Sequence, residues 1–210
     1  MKLDRPSPLS HAGRIVLLVV VALLWVAPYL WMTITSLKPL DEIVRAPAYP
    51  LPQQPNLAAY REVMTTVPVG RYLLNTLLMA FSIAALQIAL ALPAGYALAK
   101  LRWRHKPWVF ALVVGCLLIP AQVTFVPVFT MLGPTGLINT MGALIIPFAV
   151  SAFGTFLVRQ ALLSVPDEII EAARLDGASE LYIVYRILGP LLAPTLMAMF
   201  LFSFVYHYSD

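Results

Sequence analysis

The densest mixture of acidic and basic side chains in this chain lies in one segment, residues 159–186. It holds five of the ten acidic residues, and three arginines are interleaved with them: Asp167, Glu168, Glu171, Asp176 and Glu180 with Arg159, Arg174 and Arg186. Helices that lie on lipid are usually rich in Lys and Arg, and an acidic face is repelled by the anionic inner leaflet. The segment is therefore better suited to binding a water-soluble protein through ion pairs than to lying on lipid, with a simple connector as the alternative.

Catalysis, by contrast, has little support in the sequence. No phosphate-binding loop of the form G-x-x-x-x-G-K-[ST] is present. The three histidines, His11, His105 and His207, are far apart and form no metal-binding pattern with the lone Cys116. We expect neither an enzyme nor a metal or cofactor site within this chain.

The composition indicates a membrane protein. Hydrophobic residues make up 60% of the chain and charged residues only 11%, with a mean hydropathy of +0.84, whereas soluble domains are about 25% charged. Long uncharged intervals provide the roughly 20 apolar residues that a bilayer-crossing helix needs. The predicted architecture is all-α, a helix bundle with five membrane helices: 14–36, 72–99, 107–131, 138–160 and 187–208.

Basic residues set the orientation, because Lys and Arg near helix ends are retained on the cytoplasmic side. An odd number of crossings places ten of the fourteen Lys and Arg on the side of the N-terminus and four on the other. The N-terminus is therefore predicted to be cytoplasmic. The basic stretch KLRWRHK at 100–106 is interpreted as an inner loop rather than a nucleic-acid site.

These crossings divide the chain into successive regions. Residues 1–13 are a cytoplasmic N-terminus, and 14–36 are a retained first span, longer than the apolar core of a secretory signal. Residues 37–71 form a proline-rich outer loop, interpreted as a linker or as a docking surface. Residues 72–210 are the main membrane domain, with an inner charged loop at 161–186.

Within that loop the sequence predicts a helical elbow. Ser164 is expected to cap the first helix, Pro166 to lie in its first turn, and Asp167 to face the positive end of the helix dipole. Gly177 is expected to end the helix in a left-handed conformation, and Asp176 to cap the next one. One face is expected to be apolar: Ile169, Ile170, Ala172 and Ala173.

Uncharged polar residues inside the spans are few. Gln87, Ser151, Thr155 and His207 are interpreted as partners in hydrogen bonds between helices. Gln122 follows Pro120 in a helix that proline is expected to bend. It is the one candidate for lining a solute pathway.

The charged segment also resembles a family motif. "EAARLDGASELYIVYRILGP" is similar to the EAA loop of binding-protein-dependent ABC transporter permeases, which reads E-A-A, three residues, G, nine residues, then I-x-L-P. Here Glu171, Ala172 and Ala173 precede Gly177, and Ile187 and Pro190 end the pattern, with Gly189 in place of leucine. From about residue 15 onward, nearly the whole chain resembles permeases of the maltose type.

The resemblance implies a fold and a set of partners. The fold is the type I ABC importer permease, which has six membrane helices, so a five-helix chain ending at FSFVYHYSD is expected to be truncated, or else a five-helix variant. Such permeases work with a homologous second permease, a cytoplasmic ABC ATPase dimer that binds ATP and Mg, and an extracytoplasmic solute-binding protein. They lie in bacterial or archaeal cytoplasmic membranes and carry sugars, oligosaccharides or glycerol phosphate.

By the same resemblance, residues of the elbow contact the ATPase. This set comprises Glu171, Ala172, Ala173, Asp176 and Gly177, and Ile187 and Pro190 mark the end of the loop. The alternative from another class is a self-contained secondary transporter or channel. That class typically shows inverted repeats or ionisable sites within the membrane, and the sequence shows neither.

Overall fold

The computed structural model describes residues 8–45 and 49–209, which fold into helices joined by short turns. They fall into two compact units, one ending at Gly70 and one beginning at Arg71. The α-helices are α1 Pro8–Ser36, α2 Leu40–Arg45, α3 Ala58–Thr66, α4 Val69–Ala99, α5 Lys106–Cys116, α6 Ala121–Leu132, α7 Met141–Ile145, α8 Ala152–Leu163, α9 Asp167–Leu175, α10 Glu180–Tyr182, α11 Gly189–Leu191 and α12 Ala193–Tyr208. Short 3-10 segments occupy Gly133–Thr135 and Ile146–Phe148, and π-helical turns occupy Ile183–Leu188.

Two of the predicted spans are single long helices. By length and composition, the part of α1 from His11 to Ser36 and the whole of α4 can each cross a membrane. Two bent pairs also qualify if each counts as one span, which gives up to four in the described residues. The first pair joins Met141–Phe148 to Ala152–Leu163 with a bend of 41°, and the second joins Glu180–Leu191 to Ala193–Tyr208 with a bend of 84°.

The predicted helix 107–131 is not continuous. It is divided into α5 and α6 by a turn at residues 117–120, and Pro120 precedes α6 in an extended conformation with φ −61° and ψ 131°. Proline has no N–H to donate and disfavours a helical conformation in the residue before it. Pro127 lies inside α6 without ending it, so a proline in the middle of an apolar run did not by itself predict the break.

The predicted helices 138–160 and 187–208 are also interrupted. Asn139 has a positive φ of 65°, and α7 starts only after Thr140, whose hydroxyl accepts from the Ala143 N–H. Pro147 lies in the 3-10 turn before α8. The last predicted span, 187–208, is joined to the helix that begins at Glu180, and the pair bends at residue 192, between α11 and α12.

The unit that ends at Gly70 contains a loop whose described residues bond to one another across it. The predicted linker 37–71 includes α2 and α3, and the buried Lys38 side chain donates to a backbone carbonyl across the loop. Specific hydrogen bonds fix the loop: Lys38 Nζ to Tyr49 O, Gln53 N to Glu42 Oε1 at 2.9 Å, and Ser36 Oγ with Tyr60 Oη at 2.6 Å. These bonds tie the described parts of the loop to one another.

The unit that begins at Arg71 has its core around the charged elbow. Buried side chains from α4, α8, α9, the π-helical turns, α12 and two connecting positions form one cluster: Ala91, Leu92, Tyr96, Val158, Leu162, Val165, Ile170, Ala173, Ile183, Val184, Leu188, Leu192 and Met199. Gly95 lets α4 and α8 approach closely, because a Cβ at that position would lie 2.6 Å from Val158 Cγ1. Small residues at helix contacts are a general means of packing helices in membranes.

Of the polar residues predicted to bond between helices, Gln87 does so. Its Nε2 donates to Phe148 O at 2.8 Å, across to the interrupted segment before α8. The other three bond within their own segments: the Ser151 hydroxyl accepts from Gly154 N at the start of α8, Thr155 donates to Ser151 O, and His207 Nδ1 lies 2.8 Å from Ser203 O. Backbone groups close in sequence therefore satisfy these three side chains.

Candidate functional site

The first limb of the elbow is α9, and its start differs from the prediction. Pro166 occupies the position before the helix, with Asp167 and Glu168 in the first turn and Arg174 in the last. Ser164 is not the cap, because its hydroxyl donates to Ala161 O at 2.7 Å at the end of α8. The helix dipole of α9 stabilises the acidic side chains in its first turn and Arg174 in its last turn.

Gly177 ends α9 as predicted. Its φ is +81°, in the left-handed region. Its N–H donates to Arg174 O, and the Ala178 N–H donates to Ala173 O, both at 3.0 Å. These two bonds form a Schellman motif, for which glycine is the preferred residue.

The second limb begins at α10 and continues into the π-helical turns. The prediction that Asp176 caps this limb is wrong. The cap is Ser179, whose hydroxyl accepts from the Tyr182 N–H at 3.3 Å.

Gly189 is buried, its N–H donates to Val184 O five residues earlier, and a Cβ there would lie 3.6 Å from Leu92 Cδ2. Alanine therefore fits at this position, whereas the leucine of the family pattern would meet Leu92.

The expected apolar face of α9 is divided between the core and the surface. Ile170 and Ala173 are buried, whereas Ala172 is exposed and Leu175 is 89% exposed. The exposed side borders an open groove of about 900 Å³ with small side chains in its floor, lined by Ile169, Ala172, Ala173, Asp176, Gly177, Ala178, Ser179, Tyr182 and Ile187. Small side chains allow another backbone to approach closely, so the groove is suited to receiving a protein segment.

A second, ionic cavity of about 380 Å³ lies on the side of α9 that faces the end of α4. Three cations line it with two carboxylates: Lys100, Arg102 and Arg174 with Asp167 and Glu171. Lys100 Nζ donates to Asp167 Oδ1 and to Val165 O, each at 2.5 Å. The hydrogen bond from Lys100, together with its charge, lowers the pKa of Asp167 below the ordinary value of 3.8. Asp167 therefore remains ionised at neutral pH, and its ion pair with Lys100 ties α9 to the end of α4.

A third set of contacts joins both limbs of the elbow to α4. Tyr96 Oη donates to Glu180 Oε2 at 2.6 Å, and Arg174 Nε donates to Glu180 Oε1 at 2.8 Å. Arg174 Nη2 also donates to Tyr96 Oη at 3.0 Å. The hydrogen bond to Glu180 raises the pKa of Arg174 above its already high ordinary value. We call these residues the Tyr96–Arg174–Glu180 triad.

Sequence reasoning missed the structural use of the basic loop 100–106. Its residues satisfy carbonyls at the end of α4, since Trp103 Nε1 donates to Ala97 O and Lys106 Nζ to Ala99 O. Arg159 Nε donates to Leu98 O at 3.3 Å, and its guanidinium carbon lies 3.7 Å from the centre of the Phe110 ring. The last carbonyls of a helix have no partner within it, so a basic cluster directly after a long helix was the available signal.

The remaining predicted site residues lie apart from these contacts. Gln122 is exposed in the first turn of α6, and its role in a pathway stays a prediction. Ile187 is half-buried beside the groove and Pro190 is exposed in α11. Within residues 8–45 and 49–209, no group of three or more His, Cys, Asp or Glu side chains is arranged to hold a metal ion.

Residues 88–207 match the family described as binding-protein-dependent transport system inner membrane component. The chain belongs to this family. The matched range contains the elbow, the end of α4 and most of the core. Together with the apolar helices, membership makes the chain a multi-pass inner membrane protein.

Named relatives are transport permeases rather than enzymes. The sn-glycerol-3-phosphate transport system permease protein UgpE of Agrobacterium fabrum is 30% identical over 97% of this chain and 74% of its own length. The diacetylchitobiose uptake system permease protein NgcG of Streptomyces coelicolor is 28% identical over 96% of this chain and 66% of its own. The sulfoquinovosyl glycerol transport system permease protein SmoH of Agrobacterium fabrum is 28% identical over 85% of this chain. This chain spans 63% of that relative's length and 52% of the UgpE protein of Yersinia pestis.

The fold agrees with that of a solved transporter. A bacterial ABC transporter involved in the import of the acidic polysaccharide alginate has a chain that matches with a TM-score of 0.81, over 99% of this chain and 73% of that one, at 24% identity. The all-α permease fold expected from the sequence is therefore confirmed.

Proposed function

We propose that this chain is the permease subunit of an ATP-driven ABC importer, and that with a second, homologous permease it forms a pathway for a carbohydrate across the cytoplasmic membrane. The observation that carries the proposal is the elbow made by α9, Gly177 and α10. It presents an exposed groove on one side, while the Lys100–Asp167 ion pair and a buried face hold it to the membrane helices on the other.

The groove fits a protein partner better than lipid. Leu175 is 89% exposed at the end of a helix whose other exposed side chains include Glu168 and Glu171. An exposed apolar side chain surrounded by charges is typical of an interface with a polar rim. Glu171, Ala172, Ala173, Asp176 and Gly177 are accordingly assigned to contact with a cytoplasmic ATPase dimer.

The partners divide the work of transport. ATP and Mg bind to the ATPase subunits, a solute-binding protein delivers the substrate from outside, and this chain contributes helices to the pathway. The N-terminus is cytoplasmic, in agreement with the distribution of Lys and Arg. The names of the relatives, which include a glycerol phosphate, a sulfoquinovosyl glycerol and a diacetylchitobiose system, support a carbohydrate or polyol substrate. Gln122 remains the proposed pathway residue.

Leu175→Asp is expected to weaken binding of the ATPase on the order of tenfold, since a charge replaces an exposed apolar side chain of α9 next to the proposed contact residues. The full chain is expressed with its second permease and ATPase, and retention of the ATPase is measured after purification in detergent. Substrate-stimulated ATP hydrolysis in liposomes is measured in parallel.

The matched control is Leu40→Asp. Leu40 is 76% exposed in α2, on the side of the membrane opposite the elbow by the proposed topology. It receives the same substitution and should retain the ATPase fully. Equal retention by both variants, or no retention by the unaltered protein, would contradict the proposed function.

A further inference from the structure

The Tyr96–Arg174–Glu180 triad connects three parts of the fold. Arg174 is in the last turn of α9, Glu180 is the first residue of α10, and Tyr96 is in the last turn of α4. Gly177 lies between the two charged residues, so the Arg174–Glu180 ion pair closes the turn that Gly177 makes. Tyr96, which is only 3% exposed, bonds to both charged groups from the side of the membrane helix.

The geometry restricts the elbow in a way that core packing does not. Ile170, Ile183 and Val184 lie in the same buried cluster as the α4 residues Leu92 and Tyr96, and apolar packing of this kind is non-directional. The triad is directional, because the planar guanidinium donates to Glu180 through Nε and to Tyr96 Oη through Nη2. It therefore fixes the angle between the two limbs and their rotation about α4.

The triad is not arranged as a major source of stability. The side chains of Arg174 and Glu180 are 43% and 52% exposed, and exposed ion pairs contribute little to folding. A network of a buried tyrosine and two half-exposed charges can keep the elbow oriented on α4 while the other side of the elbow is exposed to water and to a partner.

We propose that Tyr96, Arg174 and Glu180 are positioning residues that hold the elbow at a fixed angle and carry its displacement into α4. The proposal rests on the proposed function, since the displacement comes from the ATPase. Movement of α9 then reaches the pathway by two routes. One passes through the π-helical turns to α12, and the other passes through Tyr96 to α4.

The variants Tyr96→Phe and Glu180→Gln test this in the full importer in liposomes. Each is expected to reduce substrate transported per ATP hydrolysed several-fold, with retention of the ATPase unchanged. The double variant should be little worse than the more affected single variant, because both substitutions disrupt the same three-residue network. Tyr72→Phe, at the other end of the same helix and exposed, is the matched control and should match the unaltered protein.

A second measurement needs no partner. In the full chain purified alone, Tyr96→Phe should speed amide hydrogen exchange in residues 167–182 several-fold, while Tyr72→Phe leaves it unchanged. Unchanged exchange in Tyr96→Phe, unchanged transport per ATP, or loss of ATPase retention together with transport would each overturn the positioning role. If Tyr96→Phe speeds exchange but the unaltered protein binds no ATPase, the positioning of the elbow by the triad is supported and the proposed function is contradicted instead.

Discussion

Gly177→Val is expected to abolish ATP-driven transport, whereas Gly177→Asn is expected to retain most of it. Gly177 has a φ of +81°, and a Cβ there would meet no atom within 4 Å. The cost is therefore conformational rather than steric. A left-handed residue costs roughly 1–2 kcal/mol with an ordinary side chain and more with a branched one, and asparagine is among the few that tolerate it. Valine should shift the elbow toward another turn and misalign both limbs.

The control for this prediction is Gly136→Val. Gly136 has a φ of +71° and open space around its Cβ position, after the 3-10 turn Gly133–Thr135 and far along the chain from the elbow. It imposes the same backbone strain without touching the proposed interface. Transport per ATP is measured in liposomes for all three variants. Normal transport by Gly177→Val, or equal losses from Gly177→Val and Gly136→Val, would show that the turn has no specific role.

Gly95→Leu is expected to prevent the chain from reaching its folded state. A Cβ at Gly95 would lie 2.6 Å from Val158 Cγ1 and 3.0 Å from Arg159 N. The backbone nitrogen cannot move away independently, so α4 and α8 must separate. Overpacking of a close contact costs about 1–3 kcal/mol even for small insertions, and leucine adds four carbons. The same separation would pull Arg159 away from Leu98 O.

The yield of monodisperse protein in detergent and its thermal unfolding measure this effect. Gly115→Leu is the matched control, because Gly115 is also inside a helix and a Cβ there meets nothing within 4 Å. That variant should unfold near the temperature of the unaltered protein. If Gly95→Leu unfolds at the same temperature as Gly115→Leu, the close packing of α4 on α8 is not what the structure indicates.

Local patterns predicted the elbow well. A glycine after an amphipathic segment marked the end of α9, and acidic residues marked its first turn. The sequence did not distinguish Pro166 from Ser164 as the residue before the helix, because both are favourable near a helix start. Nor did it separate Ile170 from Ile169, since 3.6-residue periodicity gives a face and not the neighbour that covers it.

Hydropathy predicted which segments are apolar but not where they break. A run such as 107–131 has the composition of one helix, and the interruption at Pro120 depends on a local competition between backbone hydrogen bonds and turn geometry. The triad could not be predicted from the sequence for a different reason. Tyr96 and Glu180 are 84 residues apart, and no local pattern joins a tyrosine at the end of one helix to a charge pair across a distant turn.

The basic loop shows how one set of residues serves two purposes. Lys106 and Arg159 follow the distribution expected for cytoplasmic loops, and their side chains also satisfy the last carbonyls of α4. Lys106 and Arg159 thus bond to the end of α4, and Lys100 and Tyr96 join that end to the elbow. A rigid helix end next to the elbow is what a coupled movement requires.

Photo-cross-linking from position 175 tests the contact between the elbow and the ATPase. A photoreactive residue is placed at Leu175, and another at Leu40 as the control, in the full chain expressed with its second permease and ATPase. A covalent adduct with the ATPase subunit is expected from position 175 and none from position 40. No adduct from position 175, or equal adducts from both positions, would contradict the assignment of the elbow as the contact with the ATPase.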